Sequence, residues 1–351
     1  MAIDEGKLHE LLGKFVTDLG AGFHAVQAVI GDRLGLYRGL AEVAPATSAT
    51  LAAHVGASER HVREWLRCQA AGGYVTYDPA SDTYSLTEEQ EFALASPEGM
   101  SLPAAFALPV AVAKNIDPIT DAVRSGDGYG WHQHDPLLFE GTERFFRPGY
   151  VANLVSSWIP SLDGVEEKLR AGGTVADIGC GHGASTLLLG ESYPNSTVRG
   201  FDYHGPSIDT ARKRAADAGL ADRVSFDVAS AADFPGEGYD VIAIFDALHD
   251  MPDPVGAARH VREALAPDGT FLLVEPNAAD AVADNLNPIG RLFYGASTLI
   301  CVAHSMIEDP KTALGAQAGE ALLTEILNEA GFTRVRRATE TPFNIILEVR
   351  P

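Results

Sequence analysis

Val175-Ala176-Asp177-Ile178-Gly179-Cys180-Gly181-His182-Gly183 reads as a buried strand with a carboxylate near its tip and a glycine-rich turn beyond it; Ala184-Ser185-Thr186-Leu187 then opens a helix. Glycines in such a turn let a ligand approach the backbone closely. Outward from this point, apolar runs at 174–178, 197–201, 223–228, 239–245 and 270–275 alternate with helical patterns. That alternation predicts a parallel sheet with helices on both faces. The tail departs from it, because the β-prone runs 332–338 and 343–349 are joined by Thr339-Glu340-Thr341-Pro342. A turn that short holds no crossover helix, so the last pair is expected to be antiparallel.

The front half has a different grain. Residues 7–40 carry apolar side chains at helical spacings, with Gly20 and Gly22 as the expected break between two helices. Ser48–Val55 and Ser58–Ala71 read as short helices parted by Gly56, with Ser58 as an N-cap and Gly72-Gly73 as the stop. Tyr74–Tyr77 and Thr83–Leu86 are β-prone runs around Asp78-Pro79-Ala80-Ser81-Asp82, which is turn chemistry, so the unit reads as a winged helix. Residues 96–160 show no clear period but concentrate Trp131, His132, His134, Phe139, Phe145, Phe146 and Tyr150. The expected organisation is a helical and winged-helix domain at 1–95, a helical linker facing a pocket at 96–160, and an α/β domain at 161–351.

Composition narrows the function classes. The 351 residues carry 26 Lys plus Arg against 48 Asp plus Glu, a formal charge of −22, which disfavours nucleic acid as a partner of the whole molecule. The first residues lack the basic start and apolar core of a secretory signal, and no apolar run approaches the ~20 residues that span a bilayer. Cys68, Cys180 and Cys301 are odd in number and without CxxC spacing, which suggests neither a disulfide framework nor a zinc site. A cytoplasmic protein without membrane attachment is expected.

Asp202 closes the run after the glycine turn, 25 residues beyond Asp177, where a carboxylate can accept hydrogen bonds from ribose hydroxyls. The two features together indicate a nucleoside-containing cofactor. Gly179, Gly181 and Ala184 also satisfy GxGxxA, so an NAD(P)-dependent oxidoreductase stands as an alternative. Asp177 opposes it, since a carboxylate at the strand tip would repel a pyrophosphate and attract an ammonium or a sulfonium. S-adenosylmethionine carries both cations.

On these residues the chain resembles the class I S-adenosylmethionine-dependent methyltransferases, whose first motif, hydrophobic-hydrophobic-Asp/Glu-x-Gly-x-Gly-x-Gly, residues 175–183 match throughout. The resemblance covers about 160–351 and implies a Rossmann-like seven-stranded sheet with an antiparallel last strand. The α-rich winged-helix front half is similar to that of two-domain actinobacterial methyltransferases and, more distantly, plant-type small-molecule O-methyltransferases. The resemblance implies that Gly179, Gly181 and Gly183 flank the methionine portion, Asp177 lies near its amino group, Asp202 holds the ribose and Tyr203 packs beside adenine. It places Ala229 and Ser230 where many relatives have Gly-Asp reading the adenine amino group, and counts Asp246 among the cofactor-binding groups. It also implies a homodimer and a small, partly apolar methyl acceptor.

Phe245-Asp246-Ala247-Leu248-His249-Asp250-Met251-Pro252-Asp253 is similar to the family's Leu/Cys-His-Asp-Trp-x-Asp segment, which makes His249 the implied general base. Neutral imidazole suits removal of a hydroxyl proton. Glu275, in Leu273-Val274-Glu275-Pro276, matches a carboxylate that orients this base, and a second family glutamate falls on Gln317 or on Glu320. His132 and His134 would suggest a metal with His249, yet they lack ligand spacing and read instead as pocket-lining or helix-capping groups, so no metal is expected. Arg60, Arg63 and Arg67 share one helical face, as a DNA-reading stripe would. Segment 48–90 sets six carboxylates against these three arginines, which favours a structural or dimerising role over an S-adenosylmethionine-sensing transcriptional regulator. Residues 285–317, apolar but broken by glycine and proline, read as core or as a lid over an apolar acceptor.

Overall fold

A computed structural model describes residues 3–96 and 99–351; Met1 and Ala2, and Pro97 and Glu98 of the expected linker, lie outside the described residues. The chain divides into two units, one of Met1–Ala113 with Pro136–Pro148 and one of Lys114–Asp135 with Gly149–Pro351.

In the first unit, helix α1 (Glu5–Arg33) starts where the Asp4 carboxylate accepts from the backbone N–H groups of Gly6 and Lys7. It runs straight through Gly20 and Gly22, where a break was expected. An interior glycine costs only about 1 kcal/mol against alanine, too little to stop a helix of this length. The helix ends instead just before Gly35, whose φ of +67° is left-handed. Leu11, Phe15, Val16, Leu19 and Phe23 remain exposed on it, and burial begins only at His24. Gly31 then admits the Trp65 indole, since a Cβ there would lie 2.6 Å from the ring, and Trp65 Nε1 donates to the Gln27 carbonyl at 3.0 Å.

Helices α2 (Leu36–Val43), α3 (Ser48–Val55) and α4 (Glu59–Ala71) and the antiparallel strands β1 (Thr76–Asp78) and β2 (Thr83–Ser85) complete the winged helix over a core of Leu40, Leu51, Trp65 and Leu66. Ser58 occupies the N-cap of α4, but its side chain makes no capping hydrogen bond. Asp78 shapes the wing's turn by accepting from Ala80 N and Ser81 Oγ.

The second unit holds a seven-stranded sheet of β3 (Thr174–Ile178), β4 (Thr197–Asp202), β5 (Val224–Val228), β6 (Tyr239–Phe245), β7 (Leu265–Pro276), β8 (Arg334–Glu340) and β9 (Asn344–Arg350), in the order β5-β4-β3-β6-β7-β9-β8. Strands β3 to β7 pair in parallel, and β9 lies antiparallel to both neighbours, as the short 339–342 turn requires. Buried on both faces, β3, β6 and β7 read as near-continuous apolar runs, and Ile178, Ile242, Ile244, Phe271 and Leu273 form the centre of the core. The strand order reverses direction between β3 and β6. That switch point, at the carboxyl ends of the strands, is where a crevice for a ligand opens in this architecture.

Candidate functional site

Asp177 sits next to the last residue of β3 with only 1% of its surface exposed. Its Oδ2 accepts from the hydroxyls of Ser185 and Thr186, both at 2.6 Å, and its Oδ1 is buried without a hydrogen bond. Burial pushes the carboxyl up to about 6, against the two hydroxyls, because the charged form has lost water and found no cation. The turn beyond it is built for backbone approach: Gly181 has φ +52° and nothing within 4 Å of where a Cβ would stand, whereas a Cβ on Gly183 would strike the Phe226 ring at 2.7 Å. Gly179 packs the turn against the loop after β6, its absent Cβ falling 3.2 Å from that of Ala247.

Asp202 ends β4 and ties two loops together, accepting from Gly181 N at 2.9 Å and His204 N at 2.8 Å. Burial raises its pKa. Tyr203, next in sequence, stacks on His304 with ring centroids 5.6 Å apart and meets the edge of the exposed His132 at 6.1 Å. Beyond β5, Ala229 N donates to the Asp202 carbonyl, and Asp233 fastens Ser230 by accepting from its N–H at 3.0 Å and its hydroxyl at 2.6 Å. The sequence reading missed Asp233, although Ser-x-x-Asp spacing is itself a signal for a capped turn. Asp246, with φ +50°, is held by Asn344 Nδ2 at 2.6 Å and Tyr150 Oη at 3.3 Å, and burial lifts its pKa well above the carboxylate range.

At the next strand ends a charged cluster forms. His249 is 4% exposed in a 3-10 turn (Leu248–Asp250) following β6, and its Nδ1 bonds Oε2 of Glu275, which is 1% exposed near the end of β7. The other Glu275 oxygen accepts from Leu248 N at 3.0 Å, so the carboxylate fixes both ring and turn. On the far side of the ring, Nε2 lies 3.0 Å from Asp250 Oδ1, and Asp250 Oδ2 accepts from Trp131 Nε1 at 3.1 Å. Burial alone would depress the imidazole pKa, but Glu275 and then Asp250 outweigh it and hold it well above the histidine range. The same cation, against burial, keeps Asp250 low. The second carboxylate at the histidine is therefore Asp250. Neither Gln317 nor Glu320 takes that place: Gln317 Nε2 donates to the Ala316 carbonyl, and Glu320 pairs with Arg337.

Cys301 joins His249 and Asp250, with one ligating atom of each within 4.8 Å of the others; among the described residues no such cluster unites His132 and His134 with His249. His134 instead meets the edge of Tyr129 at 4.7 Å, both ring nitrogens buried without hydrogen bonds, and burial lowers its pKa to about 4. The segment 285–317 supplies Cys301 at the end of a π-helical turn (Ser297–Cys301) and is fastened beside the histidine turn by Ser305 Oγ, which donates to the Met251 carbonyl at 2.9 Å. In α4 the expected reading stripe is neutralised within the helix: Arg63 forks onto Glu59 at 2.8 and 2.7 Å, and Arg60 and Arg67 both reach Glu64.

A methyltransferase-domain family model matches residues 169–331, and the model of the Rv2258c-like winged HTH domain matches residues 22–96. The 27-O-demethylrifamycin SV methyltransferase of Amycolatopsis mediterranei is 32% identical over 172 residues, 47% of this chain and 57% of its own length. The methyltransferase GfsG of Streptomyces halstedii is 29% identical over 182 residues, 51% of this chain and 64% of its own. The chain thus spans less than two thirds of these relatives. In fold it is similar to human N-acetylserotonin methyltransferase, solved in complex with S-adenosylmethionine, at a TM-score of 0.71 and 18% identity, covering 100% of this chain and 99% of that one. Mitomycin 7-O-methyltransferase gives 0.69 and 21%, covering 99% and 100%. No helix among the described residues is long and apolar enough to cross a membrane.

Proposed function

We propose that this chain is an S-adenosylmethionine-dependent methyltransferase and that it methylates a hydroxyl of a small, partly apolar molecule, with His249 taking the hydroxyl proton. The observation that carries this reading is a juxtaposition. The glycine turn with its open Asp177 oxygen and the His249–Glu275 pair rise from the carboxyl ends of β3, β6 and β7, which are consecutive neighbours in one sheet. S-adenosylmethionine, when bound, supplies a methyl carbon made electrophilic by its sulfonium.

The residues fit that molecule. The unpartnered Asp177 Oδ1 is an acceptor for its ammonium, the space over Gly181 admits it to the backbone, and Asp202 has lone pairs left for the ribose hydroxyls. Tyr203 would offer an aromatic face to adenine, Ala229 and Ser230 after β5 would border its edge, and Asp246 lies beside the glycine turn through the Ala247 contact. Glu275 holds Nδ1, so proton uptake falls to Nε2, and the flanking carboxylates stabilise the imidazolium that results. The remaining rate enhancement comes from alignment of the acceptor oxygen along the line of displacement.

Calorimetric titration of the full chain with S-adenosylmethionine, S-adenosylhomocysteine and NAD tests the reading. Micromolar binding of the first two, and none of NAD, is the expected result. Binding of NAD, or of none of the three, would overturn it.

A further inference from the structure

We propose that Trp131 is a positioning residue for the proton-accepting histidine: its indole N–H holds the Asp250 carboxylate beside Nε2 of His249 and off the line along which that nitrogen takes a proton. The inference deepens the reading of His249 as a base and rests on it. Asp250 is buried, and its two oxygens are engaged differently. Oδ1 stands 3.0 Å from Nε2 as an ion-pair partner but forms no hydrogen bond with it, so its approach lies away from the ring's own N–H direction. Oδ2 accepts from Trp131 Nε1 at 3.1 Å.

With Nδ1 turned to Glu275, Nε2 is the nitrogen that meets an acceptor, and it takes a proton along a single in-plane line. A carboxylate on that line would stand where the acceptor hydroxyl must come. A carboxylate beside it still stabilises the imidazolium through its charge and leaves the line open. The imidazolium draws Asp250 toward the first arrangement, and the hydrogen bond to Oδ2 opposes that pull. The Cys301 thiol and His304 also face the carboxylate. The indole N–H is a donor without charge and without acceptor capacity, so it fixes the carboxylate and does not neutralise it.

The indole is itself held firmly. Gly128, at φ +82°, lies so close to the helix Val302–Ser305 that a Cβ there would fall 2.7 Å from the Ala303 carbonyl oxygen. Tyr129 N donates to that same carbonyl at 2.7 Å, and Trp131 N donates to Nδ1 of His304 at 3.3 Å. On the other side of the turn, Tyr129 Oη donates to the Gln133 carbonyl at 2.6 Å. The segment that carries the indole is thus fastened to the helix that follows Cys301, and His304 in turn stacks on Tyr203.

The test is an NMR titration of the histidine ring nitrogens in the full-length chain, without cofactor or acceptor; the His249 signal is the one missing from His249→Gln. Glu275, Asp250, Cys301 and Asp246 face this ring, and Trp131→Phe leaves all four in place. Freed at Oδ2, Asp250 should close on Nε2, and the ring should titrate about one pH unit higher than in the wild type. Asp250→Asn should titrate lower than the wild type. Adding Trp131→Phe to Asp250→Asn should change nothing further, because the indole acts through the carboxylate. A ring that titrates at or below the wild-type pH in Trp131→Phe would overturn the proposal, as would a further shift in the double variant. The wild type supplies a measurement that needs no variant: one of the three tryptophan indole N–H protons should shift at the pH where His249 titrates, and the absence of any such response would sink the contact. With an authentic acceptor, the acid limb of turnover in Trp131→Phe should move upward with the ring, about a tenfold loss on that limb, at unchanged cofactor affinity. An even loss across all pH with the ring unmoved would reduce the indole to packing. Failure of S-adenosylmethionine binding alongside the expected ring titrations would refute the cofactor reading while leaving the Trp131–Asp250–His249 relation standing.

Discussion

The ends of β3 and of β6 and β7 are both buried, yet they treat charge in opposite ways. At β3, Asp177 has two hydroxyl partners, no cation and one oxygen without a hydrogen bond, and its pKa rises to about 6. At β6 and β7, His249 sits between Glu275 and Asp250, and its pKa rises because those carboxylates hold the proton on it. The first end lacks a positive charge and the second carries its own. Burial sets the scale at both, and the partner sets the sign. On the proposed reading, the end that receives a cationic molecule keeps its carboxylate open, while the end that accepts a proton surrounds its base with acceptors.

The comparison breaks first at the histidine. His249→Ala should lower turnover by about 10²–10⁴-fold, the usual worth of a positioned general base, while cofactor affinity by calorimetry stays nearly intact. Equal turnover with an authentic acceptor would remove His249 from proton transfer. Asp177→Asn should do the reverse, weakening S-adenosylmethionine binding about tenfold to hundredfold, as loss of a charge-assisted hydrogen bond does. The wild type carries an internal check. Because Asp177 titrates at about 6, affinity should fall as pH drops below that value and the carboxylate gains a proton, and the asparagine variant should show no such limb. A wild-type affinity flat between neutrality and pH 5 would mean that Asp177 does not meet the ammonium.

The β3 end was the more legible in sequence because its chemistry is local. A strand, a carboxylate and a glycine turn lie within nine residues, and Asp202 follows one helix later on the adjacent strand. The histidine end is assembled from separate segments. Glu275 could be matched because it ends the strand beside β6, but Cys301 reaches the cluster only through a π-helical turn, which leaves no periodic trace. Asp250 was in plain view and was passed over: an immediate neighbour in a regular helix or strand points away from its predecessor, and only the 3-10 turn brings the two side chains together. Gly20 and Gly22 misled in the other direction, since a glycine that touches nothing within 4 Å interrupts no packing and the helix continues past it.

The finest test of the contrast is Glu275→Gln. If the flanking carboxylates make His249 a strong base that is mostly protonated near neutrality, turnover in the wild type should rise about tenfold for each pH step of one below the imidazole pKa, because only the neutral ring can take a proton. Glutamine still reaches Nδ1 through its carbonyl oxygen but removes the negative charge that does most to raise the pKa. The acid limb should therefore move toward lower pH, with more of the ring neutral at pH 7. The plateau should fall by about tenfold, since the neutral ring is a weaker base and the imidazolium loses its strongest partner. Turnover at low pH thus changes little or even rises while turnover at high pH drops. A residue that only held the turn in place would lower the whole profile without moving it, so the shift of the limb, read beside unchanged cofactor affinity, separates a charge effect from a structural one.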